Sequence, residues 1–299
     1  MTFALSTMWL QHRFDTVRDM AQVAEMIGIP AIEVSHVATP QHINGLKPGE
    51  ARILSVHYPA PKTPSPYGRP ADALLSSTDE EQRRWAVEEG RRCLEFAAEM
   101  GASAVCVHLG TVDMPSHLEW ALEQRFLGGQ QDTPEYRKLK DVIIATRAEQ
   151  RIGPFDAARR SLDELAKIAQ RLGIRIGIES RRHYREIPTW NEMAILLREH
   201  DPDVVGFWFD GGHVQILANL GFHRYQDWLD AYADRMVGVH LHDTRGLRDH
   251  LLPGLGEIDF RHLARYLSDS VVRTLELDWY YTPEELRRAV EDLRRAGCL

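Results

Sequence analysis

The chain has few cysteines and no long apolar run. Its three cysteines, Cys93, Cys106 and Cys298, form no CxxC pair, so the sequence predicts neither a disulfide framework nor a thiolate zinc site. A membrane-spanning helix needs about 18 consecutive apolar residues, and the sequence has no such run. No basic segment precedes the short apolar stretch at the amino terminus. We therefore expect a cytoplasmic protein.

The chain also lacks an excess of positive charge. Its 36 basic and 44 acidic side chains give a net charge of −8, which disfavours nucleic acid and anionic membranes as partners. Neither GxGxxG nor GxxxxGK[ST] occurs, so two common nucleotide-binding motifs are missing. Hydrophobic residues make up 43% of the 299 residues, which is enough for one large folded core.

Short runs rich in valine and isoleucine recur along the chain, and amphipathic segments separate most of them. The predicted strands are residues 3–9, 31–36, 53–58, 103–109, 174–180, 204–210, 237–242 and 273–278. Eight strands that alternate with helices predict an α/β fold, a single (β/α)₈ TIM barrel, with residues 1–299 as one domain.

Helix boundaries carry their own signals. Amphipathic patterns over residues 86–100 and 158–172 stop at Gly101 and Gly173, which favour the left-handed conformation that ends a helix. Three capping boxes predict helix starts: Thr78-x-x-Glu81, Thr189-x-x-Glu192 and Thr282-Pro283-Glu284-Glu285.

The strand spacing is interrupted after the third and fourth strands. Residues 59–70 are proline-rich, and residues 111–153 form a longer insertion with a helix expected near 134–150. Insertions of this kind usually shape a substrate pocket.

Histidine and acidic residues are concentrated where the predicted strands end, which is where the active sites of TIM barrels lie. These residues are Glu33, His36, His57, His108, Glu179, Asp210, His213, His240, His242, His250, Glu276 and Asp278.

Four of these residues end consecutive strands: Glu179, Asp210, His240 and Glu276. Divalent cations bind carboxylate oxygens and imidazole nitrogens that converge from separate rigid elements, with one position open for substrate. We predict a site for Mn²⁺, Mg²⁺, Co²⁺ or Zn²⁺, and an ion-pair network is the structural alternative. Because strand residues alternate, His240 and His242 share a face, which leaves open which of the two is the ligand.

Other candidates have two interpretations each. Four histidines are either ligands of further ions, up to three in total, or satisfied core and rim side chains: His57, His108, His213 and His250. Glu33 and His36 either line the pocket or have a structural role. Arg245 either holds an anionic group or is solvated, and Trp279 either stacks on a sugar ring or packs a loop.

Several short motifs occur in strand order: Gly177-Ile178-Glu179, Asp210-Gly211-Gly212-His213, Val239-His240-Leu241-His242-Asp243, the loop 253–260 and Leu275-Glu276. Together this set resembles the xylose-isomerase-like TIM-barrel superfamily. That superfamily contains sugar and sugar-phosphate isomerases and epimerases, and endonuclease IV.

The resemblance to the epimerase branch implies one metal ion on Glu179, Asp210, His240 and Glu276. It implies isomerisation or epimerisation of a small sugar, sugar phosphate or polyol derivative. In that chemistry the metal stabilises an enediolate, and Glu179 and Glu276 act as acid and base on opposite faces.

Substrate contact is a separate expectation. The resemblance implies that His213 touches substrate, and His242, Arg245 and Trp279 are the further candidates.

The endonuclease IV branch holds three zinc ions and supplies the alternative function, phosphodiester cleavage at abasic DNA. Its additional ligands would correspond to His57, His108, His213 and His250. One position departs from that pattern, because Arg248 stands where the family has an aspartate two residues before its histidine. Asp249 or Asp243 would have to substitute.

The acidic net charge and the insertions favour a small carbohydrate as substrate over nucleic acid. Other classes on the same scaffold are a lyase or dehydratase and a catalytically weak metal-binding barrel that serves as a partner subunit. Exposed helices around a barrel often form homo-oligomers, and nothing in the sequence selects one.

Overall fold

The computed structural model describes residues 2–299, and in that range eight parallel strands close into a barrel. These strands are β1 (Ala4–Ser6), β2 (Ala31–Val34), β3 (Ile53–His57), β4 (Ala104–Val107), β5 (Arg175–Glu179), β6 (Val205–Asp210), β7 (Met236–Leu241) and β10 (Val272–Leu275). Around the barrel they pair in the order β1-β10-β7-β6-β5-β4-β3-β2. The predicted (β/α)₈ TIM barrel is confirmed.

Helices surround the strands and form the insertions. They are α1 (Val17–Met26), α2 (Pro40–Ile43), α3 (Ala71–Leu74), α4 (Glu80–Glu99), α5 (Ser116–Leu127), α6 (Pro134–Gln150), α7 (Ile152–Leu172), α8 (Trp190–Glu199), α9 (Gly211–Asn219), α10 (Tyr225–Tyr232), α11 (Phe260–Leu263) and α12 (Pro283–Ala296). Short 3₁₀ segments lie at Thr7–Leu10, Ala233–Arg235 and Ala264–Tyr266. Helix α6 coincides with the helix predicted near 134–150 in the insertion after β4. Helix α5 lies in the same insertion and was not predicted, and α3 follows directly after the proline-rich residues 59–70.

The first strand is shorter than the predicted span 3–9. It ends at Ser6 because the Ser6 hydroxyl accepts a hydrogen bond from the Met8 backbone N–H, 3.4 Å away, and a 3₁₀ turn begins there. Gly101 and Gly173 adopt the left-handed conformation as predicted, with φ of 73° and 68°. The capping boxes at Thr189 and Thr282 are also present.

The predicted helix start at Thr78 was wrong by one residue. Helix α4 is capped by Asp79, whose carboxylate accepts hydrogen bonds from the backbone N–H groups of Glu81 and Gln82. Asp79 takes the position from Thr78 because its side chain reaches both free N–H groups of the first turn.

An antiparallel hairpin, β8 (Asp243–Arg245) with β9 (Arg248–Leu251), follows β7 and was not predicted. Its sequence is almost entirely polar, so it lacks the apolar alternation that marks a half-buried strand. The hairpin turns at Gly246, where φ is +64°. It carries His250 back over the carboxyl end of the barrel.

Trp208 fills the barrel interior beneath the strand ends. Its indole is fully buried, and its ring centroid lies 5.2 Å from that of His240. Both flanking strands carry a glycine against the indole, Gly238 in register with Trp208 on β7 and Gly177 two residues before its register partner on β5, because a Cβ atom at either would overlap the indole. This packing forms the floor of the strand-end cluster.

Among residues 2–299, none of the helices combines the length and the apolar character that crossing a membrane requires.

We expect Gly238→Ala to lower the free energy of unfolding by about 1–3 kcal/mol, because the new methyl group overpacks the buried Trp208 indole. Urea denaturation followed by circular dichroism measures the change. Gly128→Ala is the matched control, since its Cβ atom would approach no atom closer than the Gln124 carbonyl oxygen at 3.4 Å, an ordinary van der Waals distance. Wild-type stability of Gly238→Ala would show that Trp208 does not fill this space rigidly.

Candidate functional site

The structure brings the four predicted metal-binding residues together. Glu179, Asp210 and His240 end or nearly end β5, β6 and β7, and Glu276 follows β10 directly. Because side chains alternate along a strand, the residue two positions before each of them also faces the barrel interior. All four side chains are buried, and one donor atom from each lies within 4.8 Å of the others.

His240 is the centre of this group. Its Nδ1 atom lies 3.1 Å from Glu179 Oε1, 3.2 Å from Glu276 Oε2 and 3.5 Å from Asp210 Oδ2. Three carboxylates therefore face one imidazole nitrogen in a space from which water is excluded. We call these four residues the central quartet.

The hydrogen bonds distinguish His240 from His242. The His242 Nδ1 atom accepts the backbone N–H of His250 at 3.0 Å, so its ring hydrogen is on Nε2, which donates to Asp210 at 3.0 Å. His240 is turned the other way: its Nε2 atom lies 3.1 Å from Glu33 Oε1, and its Nδ1 atom faces the three carboxylates. His240 thus directs Nδ1 into the quartet, whereas His242 directs Nε2 to Asp210 and its Nδ1 is occupied by the His250 backbone.

The quartet carries an excess of negative charge. Burial alone would raise the pKa of Glu179, but the neighbouring histidines, His108 foremost, hold that pKa well below its usual value. Burial would lower the pKa of His240, but Glu276 and Glu33 raise it well above its usual value. The cluster therefore stabilises positive charge at its centre, which a divalent ion would supply.

A second group converges on the other oxygen of Glu179. His57 Nε2 lies 3.2 Å from Glu179 Oε2, and His108 Nε2 also contacts this oxygen. The far sides of both rings are held, since His57 Nδ1 lies 3.0 Å from the Tyr58 carbonyl oxygen and His108 Nδ1 lies 2.9 Å from Asp72 Oδ2. Both Nε2 atoms are thereby directed at the carboxylate.

A third group combines His213, Asp249 and His250 at the rim. Of the two aspartates expected to substitute at the position of Arg248, Asp249 lies beside these histidines, and Arg182 Nε donates to it at 2.9 Å. Asp243 is used elsewhere: its carboxylate accepts the backbone N–H groups of residues 244, 254, 256 and 258 and anchors the loop that follows the hairpin.

Two predicted substrate contacts lie further out. Arg245 is exposed near the turn of the hairpin, on β8. Trp279 is 41% exposed, and the His12 ring contacts it edge-on. His213 and His242, in contrast, border the quartet, with His213 Nδ1 3.5 Å from Glu179 Oε1.

Sequence reasoning missed the roles of Asp72, Cys106 and Arg181. Arg181 is buried and bridges Glu179 Oε2, at 3.2 Å, and Glu186 Oε1, at 2.8 Å. Its two-residue spacing from Glu179 was the available signal. The Cys106 thiol lies 3.5 Å from Glu179 Oε2. Nothing local marks Asp72, because it belongs to the insertion and is 36 residues from His108.

Known proteins share this architecture. A D-psicose 3-epimerase from Clostridium cellulolyticum, solved with D-tagatose, is 15% identical, with 99% of each chain covered and a TM-score of 0.69. The IolI protein, solved with a bound zinc atom, is 15% identical, with 100% of this chain and 98% of that chain covered and a TM-score of 0.67. At such identities the likeness establishes the fold.

Protein y4fM of Sinorhizobium fredii is 22% identical over 212 residues, which are 71% of this chain and 58% of that relative's length. The family model described as xylose isomerase-like TIM barrel matches residues 20–296, nearly the whole barrel. The chain therefore belongs to the xylose isomerase-like TIM-barrel family.

Proposed function

We propose that this protein is a divalent-metal-dependent isomerase or epimerase of a small sugar or sugar derivative. The observation that carries the proposal is the central quartet, in which one imidazole nitrogen and three carboxylates meet at the carboxyl end of the barrel. Similarity to sugar epimerases of the same fold supports this choice of substrate. The net charge of −8 also favours a small carbohydrate over nucleic acid.

The donor set suits a hard or borderline divalent ion. Glu179, Asp210, Glu276 and His240 would hold it through three carboxylate oxygens and Nδ1, a set that Mn²⁺, Co²⁺, Mg²⁺ and Zn²⁺ accept. When bound, the ion would polarise a substrate carbonyl and lower the barrier to removal of the adjacent carbon-bound proton.

In this proposal two glutamates move that proton. Glu179 and Glu276 approach His240 from different strands, β5 and β10, through one oxygen each. The other oxygens, Glu179 Oε2 and Glu276 Oε1, would then transfer the proton, and Glu179 Oε2 would exchange its contact with His57 or Arg181 for the substrate. One glutamate removes the proton from one face of the substrate carbon and the other returns a proton to the opposite face, which inverts the configuration.

A second function is favoured by the group around Glu179 Oε2. His57, His108 and Glu179 would hold a second ion, and the His213, Asp249 and His250 group would hold a third. Such a centre suits phosphodiester hydrolysis. The two functions compete for one atom, because Glu179 Oε2 cannot both accept a substrate proton and hold a metal.

We expect Glu179→Gln and Glu276→Gln each to reduce proton exchange between substrate and solvent by at least about 10²-fold, because an amide cannot accept the proton. Exchange is measured by NMR of ketopentoses and ketohexoses in D₂O with Mn²⁺- or Co²⁺-loaded enzyme. Glu284→Gln, on the exposed first turn of α12, is the matched control. Undiminished exchange in either variant would remove that glutamate from the mechanism, and no exchange by the wild type with any sugar would reject the isomerase.

For the phosphodiesterase alternative, we expect at least two zinc ions per chain and cleavage of an abasic DNA duplex. Replacing both His57 and His108 by Ala should then lower the metal content by one equivalent and abolish cleavage, because the second ion would lose both of its Nε2 ligands. Elemental analysis of protein purified without chelator and a gel assay measure the two effects. A single ion per wild-type chain would reject this alternative.

A further inference from the structure

Glu33 is a fully buried carboxylate that lies outside every ligand group described above. It stands on β2, across the barrel interior from β7. Its Oε1 atom lies 3.1 Å from His240 Nε2, and its Oε2 atom accepts hydrogen bonds from Ser55 Oγ at 2.7 Å and Thr274 Oγ1 at 3.2 Å. Three strands other than its own therefore fix its position.

A buried carboxylate that is not needed would be costly. Removing a carboxylate from water costs several kcal/mol unless partners compensate, and two neutral hydroxyls compensate only in part. The remaining partner is the His240 ring, which is itself fully buried. The contact between Glu33 and His240 is thus the specific interaction that keeps this charge inside the barrel.

An ionised carboxylate is purely an acceptor, so its contact with His240 fixes the ring hydrogen on Nε2. The lone pair of the neutral ring is then on Nδ1, the atom that faces Glu179, Asp210 and Glu276. With the opposite tautomer, an N–H group would point into the quartet and block ligation. A carboxylate behind an imidazole also makes the free nitrogen a better electron donor.

We propose that Glu33 is a positioning residue: it selects the His240 tautomer and orientation in which Nδ1 can hold a divalent ion. The inference rests on the proposed function only in taking the central quartet as the first metal site. Glu33 acts through the His240 ring and is not itself one of the proposed ligands. The Ser55 and Thr274 hydroxyls donate to the other oxygen of Glu33 and so hold Glu33 against the ring.

The test compares Glu33→Gln and Glu33→Leu with the wild type. The first variant removes the charge and retains an oxygen that can accept the Nε2 hydrogen, while the second removes both. The affinity of the metal-free protein for Co²⁺ is measured by competition with a chromophoric chelator. Thermal unfolding of the same metal-free samples reports on stability.

We expect Co²⁺ to bind about 10-fold more weakly to Glu33→Gln and about 100-fold more weakly to Glu33→Leu. Metal-free Glu33→Gln should keep a melting temperature close to that of the wild type, because its amide oxygen still accepts a hydrogen bond. Metal-free Glu33→Leu should melt lower, because Ser55, Thr274 and His240 Nε2 lose their buried acceptor. The matched control is Glu192→Gln, an equally buried glutamate that pairs with Arg147 on another part of the barrel. It should retain wild-type Co²⁺ affinity.

Unchanged Co²⁺ affinity in both Glu33 variants would overturn the inference while leaving the metal site intact. Equal weakening by Glu192→Gln would also overturn it, because the effect would then follow from loss of any buried glutamate. If Glu33→Leu fails to fold, Glu33→Gln alone decides. A wild-type protein that binds no Co²⁺, Mn²⁺ or Zn²⁺ would instead reject the proposed function and its metal site.

Discussion

The convergence of buried carboxylates on His240 is the constraint on which the rest of the site depends. Glu33 approaches one ring nitrogen, and Glu179, Asp210 and Glu276 surround the other. Carboxylates in a buried space repel one another, and they stay there only if positive charge or directed hydrogen bonds offset the cost. The protein supplies part of this compensation with histidine and with Arg181, and a divalent ion would supply the rest.

The barrel is what makes this concentration of charge feasible. Parallel strands end at the same edge, so side chains from β5, β6, β7 and β10 converge without any long loop to order. Beneath them, Trp208 lies between Gly177 and Gly238 and gives the polar layer a rigid apolar floor. Phe207 and Phe209 alternate with Trp208 and pack outward in the core beneath the helices, so β6 contributes to both layers.

Glu179 is the residue through which the two candidate chemistries diverge. Its Oε1 belongs to the central quartet, and its Oε2 is surrounded by His57, His108 and Arg181. An isomerase would require Oε2 to exchange a proton with substrate, whereas a two-metal hydrolase would require it to bind the second ion. Arg181 already places one positive charge at this oxygen, and Glu186 holds that guanidinium in place. The number of ions near Glu179 is therefore the property that separates the two functions.

The sequence by itself determined the barrel and three members of the quartet, because strand alternation and strand-end position are local patterns that one chain segment carries alone. Glu179, Asp210 and Glu276 could be chosen in this way, with His240 or His242 as the fourth, as could the helix ends at Gly101 and Gly173. The tertiary structure decided between His240 and His242, since that choice depends on which ring nitrogen meets Glu33 or the His250 backbone. It also decided the partnership of Asp72 with His108 and the burial of Arg181. Glu33 and His240 are 207 residues apart, and no local sequence pattern predicts a contact that forms only when the barrel closes.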